Sequence, residues 1–138
     1  VGVADPERVA SGGVERPGDM PEVIPGSPLR LDVDFIEGVA VLHAGGEIDV
    51  VTAPVFERKL TELAALCGTS TLVADLLGVQ FLSSAGLAVL MRTADELDGR
   101  SRFLIVADGP ATARPMTLVG LADTLEIFPT VEAALSTV

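Results

Sequence analysis

The sequence predicts an α/β domain: a mostly parallel sheet of four to five strands, an antiparallel hairpin at its N-terminal side and about four helices. Three observations carry this. A stretch of strict apolar and polar alternation is followed at once by a second apolar run, two short apolar runs further on have no polar interruption, and segments of helical spacing separate them. Uninterrupted apolar runs are what strands buried on both faces of a parallel sheet require, because helices cover both sides. Helices placed between such strands imply right-handed crossovers.

Residues 1–28 hold Pro6, Pro17, Pro21, Pro25 and Pro28 and five glycines, with interspersed acids and no sustained apolar period. They read as a disordered tail ahead of a domain over residues 29–138. Leu29, Leu31, Val33 and Phe35 then alternate with Arg30, Asp32 and Asp34, and Glu37-Gly38 separates them from the run Val39 to Ala44. That is a β-hairpin with a tight turn. From Thr52, read as an N-cap, with Pro54 in the first turn, Phe56, Leu60, Leu63, Ala64 and Cys67 recur at helical spacing until Gly68 stops them. Cys67 lies on the apolar stripe and reads as a small core hydrophobe.

Leu72-Val73-Ala74 and Phe103 to Ala107 are the two buried strands. Between them Leu87, Leu90, Met91, Ala94 and Leu97 mark a helix with one buried face, and Gln80-Phe81-Leu82 reads as the loop before it. Ser83 and Ser84 fall at that helix's start, where a serine oxygen accepts a hydrogen bond from an unpaired N–H. Ala85, Gly86 and Ala88 are small, which suits close approach by a partner. In the last third, Ala111 to Val119 looks helical and Gly120 ends it. Leu125 to Phe128 makes a short strand and Thr130 to Leu135 a final helix. Pro115 requires that the third helix start late or be kinked, since an interior proline costs about 3 kcal/mol.

Composition excludes several classes of function. With 20 Asp and Glu against 9 Lys and Arg, the net charge of −11 repels phosphate backbones and anionic lipid headgroups alike. Trp and Tyr are absent, removing most stacking platforms for single-stranded nucleic acid. The mean hydropathy of +0.51 is that of a folding chain, yet no apolar stretch approaches the roughly 20 residues that span a bilayer. The expectation is a cytoplasmic protein without membrane insertion, direct nucleic-acid binding, metal or other cofactor. A single cysteine makes no internal disulfide. His43, the one histidine, stands in an apolar strand without a metal-spaced cluster and reads as a satisfied strand residue. Leu82 occupies the first glycine position of a hydrolase elbow, and neither a phosphate loop nor a dinucleotide-binding turn is present, so an enzyme is not expected.

The order of elements, Gly46-Glu47-Ile48-Asp49 at the end of the second strand, Val79 to Leu87 before the second helix and Gly120-Leu121 after the third together resemble the STAS domain, specifically bacterial anti-sigma factor antagonists. The resemblance covers residues 29–138. It implies an anti-anti-sigma factor that acts in transcription regulation and the stress response. An anti-sigma factor with serine kinase activity phosphorylates a serine at the start of the second helix, and the unmodified antagonist binds that factor and frees the sigma factor. A phosphoserine phosphatase restores the modified form. Gly86-Leu87 set the register, making Ser84 the phosphoacceptor and leaving Ser83 where the family usually carries Asp. Ser83 is the second choice of acceptor, and both serines acting only as helix caps is the plain alternative. The partner-binding set implied is Glu47, Asp49, Ser83, Ser84, Ala85 and Gly86. Glu47 and Asp49 are open to two readings, contact with the kinase or its nucleotide-bound magnesium, or solvated loop acids with Asp49 helping to start a helix. A STAS accessory subunit of a transport or lipid-trafficking complex, without phosphoregulation, is the competing function.

Overall fold

The computed structural model describes residues 22–23, 28–67 and 70–138. The elements run β1 (Glu22–Val23), β2 (Leu29–Ile36), β3 (Val39–Ile48), α1 (Ala53–Cys67), β4 (Leu72–Leu82), α2 (Ser84–Leu97), β5 (Phe103–Val106), α3 (Ala113–Leu118), β6 (Glu126–Phe128) and α4 (Val131–Leu135). All six strands form one sheet in the order β1-β2-β3-β4-β5-β6. The pairs β1/β2 and β2/β3 are antiparallel, and β3/β4, β4/β5 and β5/β6 are parallel. The expected α/β fold with a mostly parallel sheet and an N-terminal hairpin is therefore the fold observed. The hairpin closes at the pair Ile36 and Val39, around Glu37 and Gly38 with φ of 53° and 83°, the positive pair that a two-residue turn between twisted strands demands.

Alternation sorts the core into two layers. Ala40, Leu42 and Ala44 of β3 face α1 and α2 with Phe56, Leu60, Val89 and Leu90, while Val39, Val41, Val73, Leu104 and Val106 face α4 through Ala134. On the first side α1 and α2 are clasped by Arg92, whose Nε and Nη2 donate to the two carboxylate oxygens of Glu57 at 2.7 and 2.9 Å. This two-pronged ion pair raises the guanidinium's pKa and lowers that of Glu57.

Several local expectations shift. Most of residues 1–28 and the side chain of Cys67, with the stop at Gly68, lie outside the described residues. Glu22 and Val23, inside the expected tail, pair with Leu31 and Arg30, so β2 is not the sheet's edge along its whole length. The helix α3 starts late, at Ala113, which puts Pro115 at its third position. An N–H there has no intrahelical acceptor to lose.

The largest correction concerns β4. Gln80-Phe81-Leu82 is strand, not loop. Against β3 the register runs His43 to Asp75, then Gly45 to Gly78, then Gly46 to Val79, then Glu47 to Phe81, so β4 carries two extra residues at two irregularities. Each extra residue turns the strand's inward face by one position. Leu76, Val79 and Leu82 therefore point into the same core at intervals of three, a spacing that hides a strand from any test of period two.

Candidate functional site

The end of the sheet where β3 and β4 stop together builds the site. Ile48 pairs with Leu82, and the N–H of Ser83 donates to the Ile48 carbonyl at 2.9 Å, so the two chains leave the sheet side by side. Ser83 is the N-cap of α2, with extended backbone (φ −80°, ψ 172°) and Oγ accepting from the Gly86 N–H at 3.3 Å. Ser84 is the first helical residue and is exposed, and no side-chain hydrogen bond among the described residues uses its hydroxyl. The two serines thus divide: one oxygen serves the helix, the other faces solvent. No acid lies in the first turn of α2, so no side chain of that turn offsets the positive end of its dipole.

Gly86 is buried beneath this turn. A Cβ there would stand 2.6 Å from Leu82 Cδ1 and 2.8 Å from Ile48 Cγ2. Its smallness lets α2 rest directly on the ends of β3 and β4, so the structure explains it by packing inside the domain rather than by access from outside. Ala85 is half-buried.

Asp49 holds the loop between β3 and α1. Its Oδ1 accepts from the Val51 and Thr52 N–H groups, both at 2.9 Å. The Asp49 N–H donates to Thr52 Oγ1 at 2.8 Å, and that hydroxyl lies 3.0 Å from the Glu47 carbonyl and 3.2 Å from Asp49 Oδ1. The hydrogen bond from Thr52 N–H, above all, holds the Asp49 carboxyl below its ordinary range. Thr52 stands at the expected N-cap position, directly before α1, and its carbonyl accepts from the Val55 and Phe56 N–H groups, but its hydroxyl turns back toward β3 rather than capping the helix. Glu47 is exposed beside this loop. The geometry gives Asp49 a bracing role, while Glu47 and Ser84 present unburied polar groups.

Sequence reasoning missed the apolar residues here. Val50 and Val51 are each 76% exposed and Phe81, opposite Glu47 in the register, is 51% exposed. Their signal was a pair of β-branched apolar residues in a loop belonging to no helical or strand period.

His43 is elsewhere. Its Nδ1 lies 2.6 Å from Asp75 Oδ2 and its Nε2 4.0 Å from Asp34, in the middle of the sheet. Asp75 precedes Leu82 by seven residues of β4, which at a strand's rise is about 20 Å. The only histidine therefore cannot serve as a base for Ser84. Among the described residues no group of three or more His, Cys, Asp or Glu is placed to hold a metal ion, and no helix is long and apolar enough to cross a membrane.

A comparison with protein families matches the STAS domain over residues 30–134. The chain belongs to the STAS domain family. The anti-sigma-F factor antagonist RsfB of Mycobacterium tuberculosis is 44% identical over 99 residues, covering 72% of this chain and 80% of RsfB. The anti-sigma-F factor antagonist RsfA of the same organism is 30% identical over 110 residues, 78% of this chain and 86% of RsfA. Among solved structures, an anti-sigma factor antagonist from Mycobacterium paratuberculosis superposes with a TM-score of 0.77 at 41% identity, covering 83% of this STAS chain and 97% of that one.

Proposed function

We propose that this STAS domain is a cytoplasmic anti-sigma factor antagonist whose binding to a kinase-type anti-sigma factor is switched by phosphorylation of Ser84. The observation that carries the reading is the exposed, uncommitted Ser84 hydroxyl at the first position of α2. Ser83, its neighbour, already spends its oxygen on the Gly86 N–H, which favours Ser84 as the acceptor. Serine and aspartate cap helices about equally well, so Ser83 keeps the cap where relatives would carry a carboxylate.

A phosphate on Ser84 would bring about −1.5 to −2 charges. At a helix N-terminus a negative group is favoured by about 0.3–1 kcal/mol, up to about 2 in good geometry, so the modified protein stays folded. Burying the same dianion against a partner without compensation costs several kcal/mol, and each 1.4 kcal/mol or so is tenfold in affinity. Binding is lost by electrostatics at the surface, with no rearrangement of the fold. A phosphatase that removes the phosphate restores it. The partner's footprint includes Glu47, Ser84 and Ala85, with Asp49, Ser83 and Gly86 holding the surface in shape.

The serine-kinase-type anti-sigma factors of the source genome, purified and supplied with ATP, test this directly. One of them should add about 80 Da, a single phosphoryl group, to the wild-type and Ser83→Ala proteins but not to Ser84→Ala. Ser84→Glu should weaken the complex by at least about tenfold. Uptake that persists in Ser84→Ala, or affinity unchanged in Ser84→Glu, would overturn the assignment and favour a constitutive partner role.

A further inference from the structure

Val50 and Val51 sit at the tip of a loop that is not loose. Asp49 Oδ1 grips the Val51 and Thr52 N–H groups, and Thr52, only 3% exposed, is tied back to β3 through the Glu47 carbonyl. Folding alone gives no reason to hold two β-branched apolar side chains 76% exposed on a backbone braced this firmly. A partner does, because a preorganised loop loses little freedom on binding and a buried apolar anchor dominates an interface. The loop leaves β3 next to the point where Ser83 leaves β4, so the valine loop and the turn that carries Ser84 start from adjacent strand ends.

The geometry points to Val50 and Val51 as the apolar anchor by which the kinase-type anti-sigma factor recognises this chain, seated in an apolar recess with a basic rim beside the seat of Ser84. This rests on the function proposed above. Charge selects that occupant. The chain carries a net charge of −11 and Glu47 stands exposed at the edge of the patch, so a second copy meeting the same face would oppose like charges, and an anionic lipid surface would be repelled. The anchor is separate from the hydroxyl that receives the phosphoryl group. It therefore contributes to the complex that releases the sigma factor and equally to the encounter in which Ser84 is modified.

The double variant Val50→Thr/Val51→Thr keeps side-chain shape and removes the apolar character at a surface position, so its thermal midpoint should match the wild type. Against the anti-sigma factor that binds the wild-type chain, its Kd should rise at least about tenfold. In the phosphorylation assay KM should rise with kcat held within about twofold, the mark of lost uniform binding. Kd and KM within about twofold of wild type would overturn the anchor. Ser84→Glu measured in the same titration separates the two claims. If it weakens binding while the valine variant does not, the anchor alone falls, and if it does not weaken binding, the phosphoswitch itself falls.

Discussion

Replacing Gly86 by alanine tests the contact that seats Ser84. The new methyl would stand 2.6 Å from Leu82 Cδ1 and 2.8 Å from Ile48 Cγ2, against a relaxed carbon–carbon separation of about 3.5–4.0 Å. The tip of Leu82 can rotate away. Ile48 is β-branched, fully buried and held in the sheet, so the stiff side of the contact resists and the first turn of α2 must lift by about 1 Å, the shortfall from that separation. Overpacking of this kind costs about 1–3 kcal/mol, and relief of glycine's helix penalty returns at most about 1 kcal/mol. The balance is a loss of about 1 kcal/mol, or about 4 °C in the thermal midpoint of a domain of this size. Urea denaturation should show the lower stability with an unchanged slope, and partner affinity should fall because Ser84 rides on the displaced turn. A Gly86→Ala protein as stable as the wild type or more so would refute the close approach of α2 to β3.

Two further outcomes follow from the same contacts. The hydrogen bonds that lower the Asp49 pKa act only in the folded state, so their stabilisation is present above the unfolded pKa and is lost as pH falls through the depressed folded value. Asp49→Asn should lower the melting temperature at neutral pH and flatten its decline on acidification, and an acid limb identical to that of the wild type would refute the brace. Phe56, fully buried between α1 and the sheet, should cost about 3–5 kcal/mol when cut to alanine, read as a lower urea midpoint, and a loss below about 1 kcal/mol would mean that the layer collapses around the gap.

Legibility followed the range of the forces involved. The hairpin and α1 were readable because their signals are local: Leu29, Leu31 and Val33 alternate with exposed polar residues on a strand with one inward face, although Phe35, next in that alternation, is exposed, and Phe56, Leu60 and Leu63 repeat on one side of a helix. The end of β4 was not, because its two extra residues make Leu76, Val79 and Leu82 face inward at intervals of three. Pro115 left a late start or a kink as alternatives for α3, and the helix begins late, at Ala113. At the site, residue type located the serines but could not divide their labour. That division depends on which oxygen reaches the Gly86 N–H, a matter of cap geometry.

Composition and local periodicity alone determined that this chain is an acidic α/β domain of strand and helix alternation with a serine pair at a helix start, since those properties depend on neighbours within a few residues. The tertiary structure decided that Ser84 is exposed while half-buried Ser83 caps the helix, that Asp49 is spent on its own loop, that Gly86 is small for the sake of Ile48, and that Val50 and Val51 stand outward. Each depends on β3 and β4 ending at the same level, and strands more than twenty residues apart in sequence are brought level only by the register of the sheet.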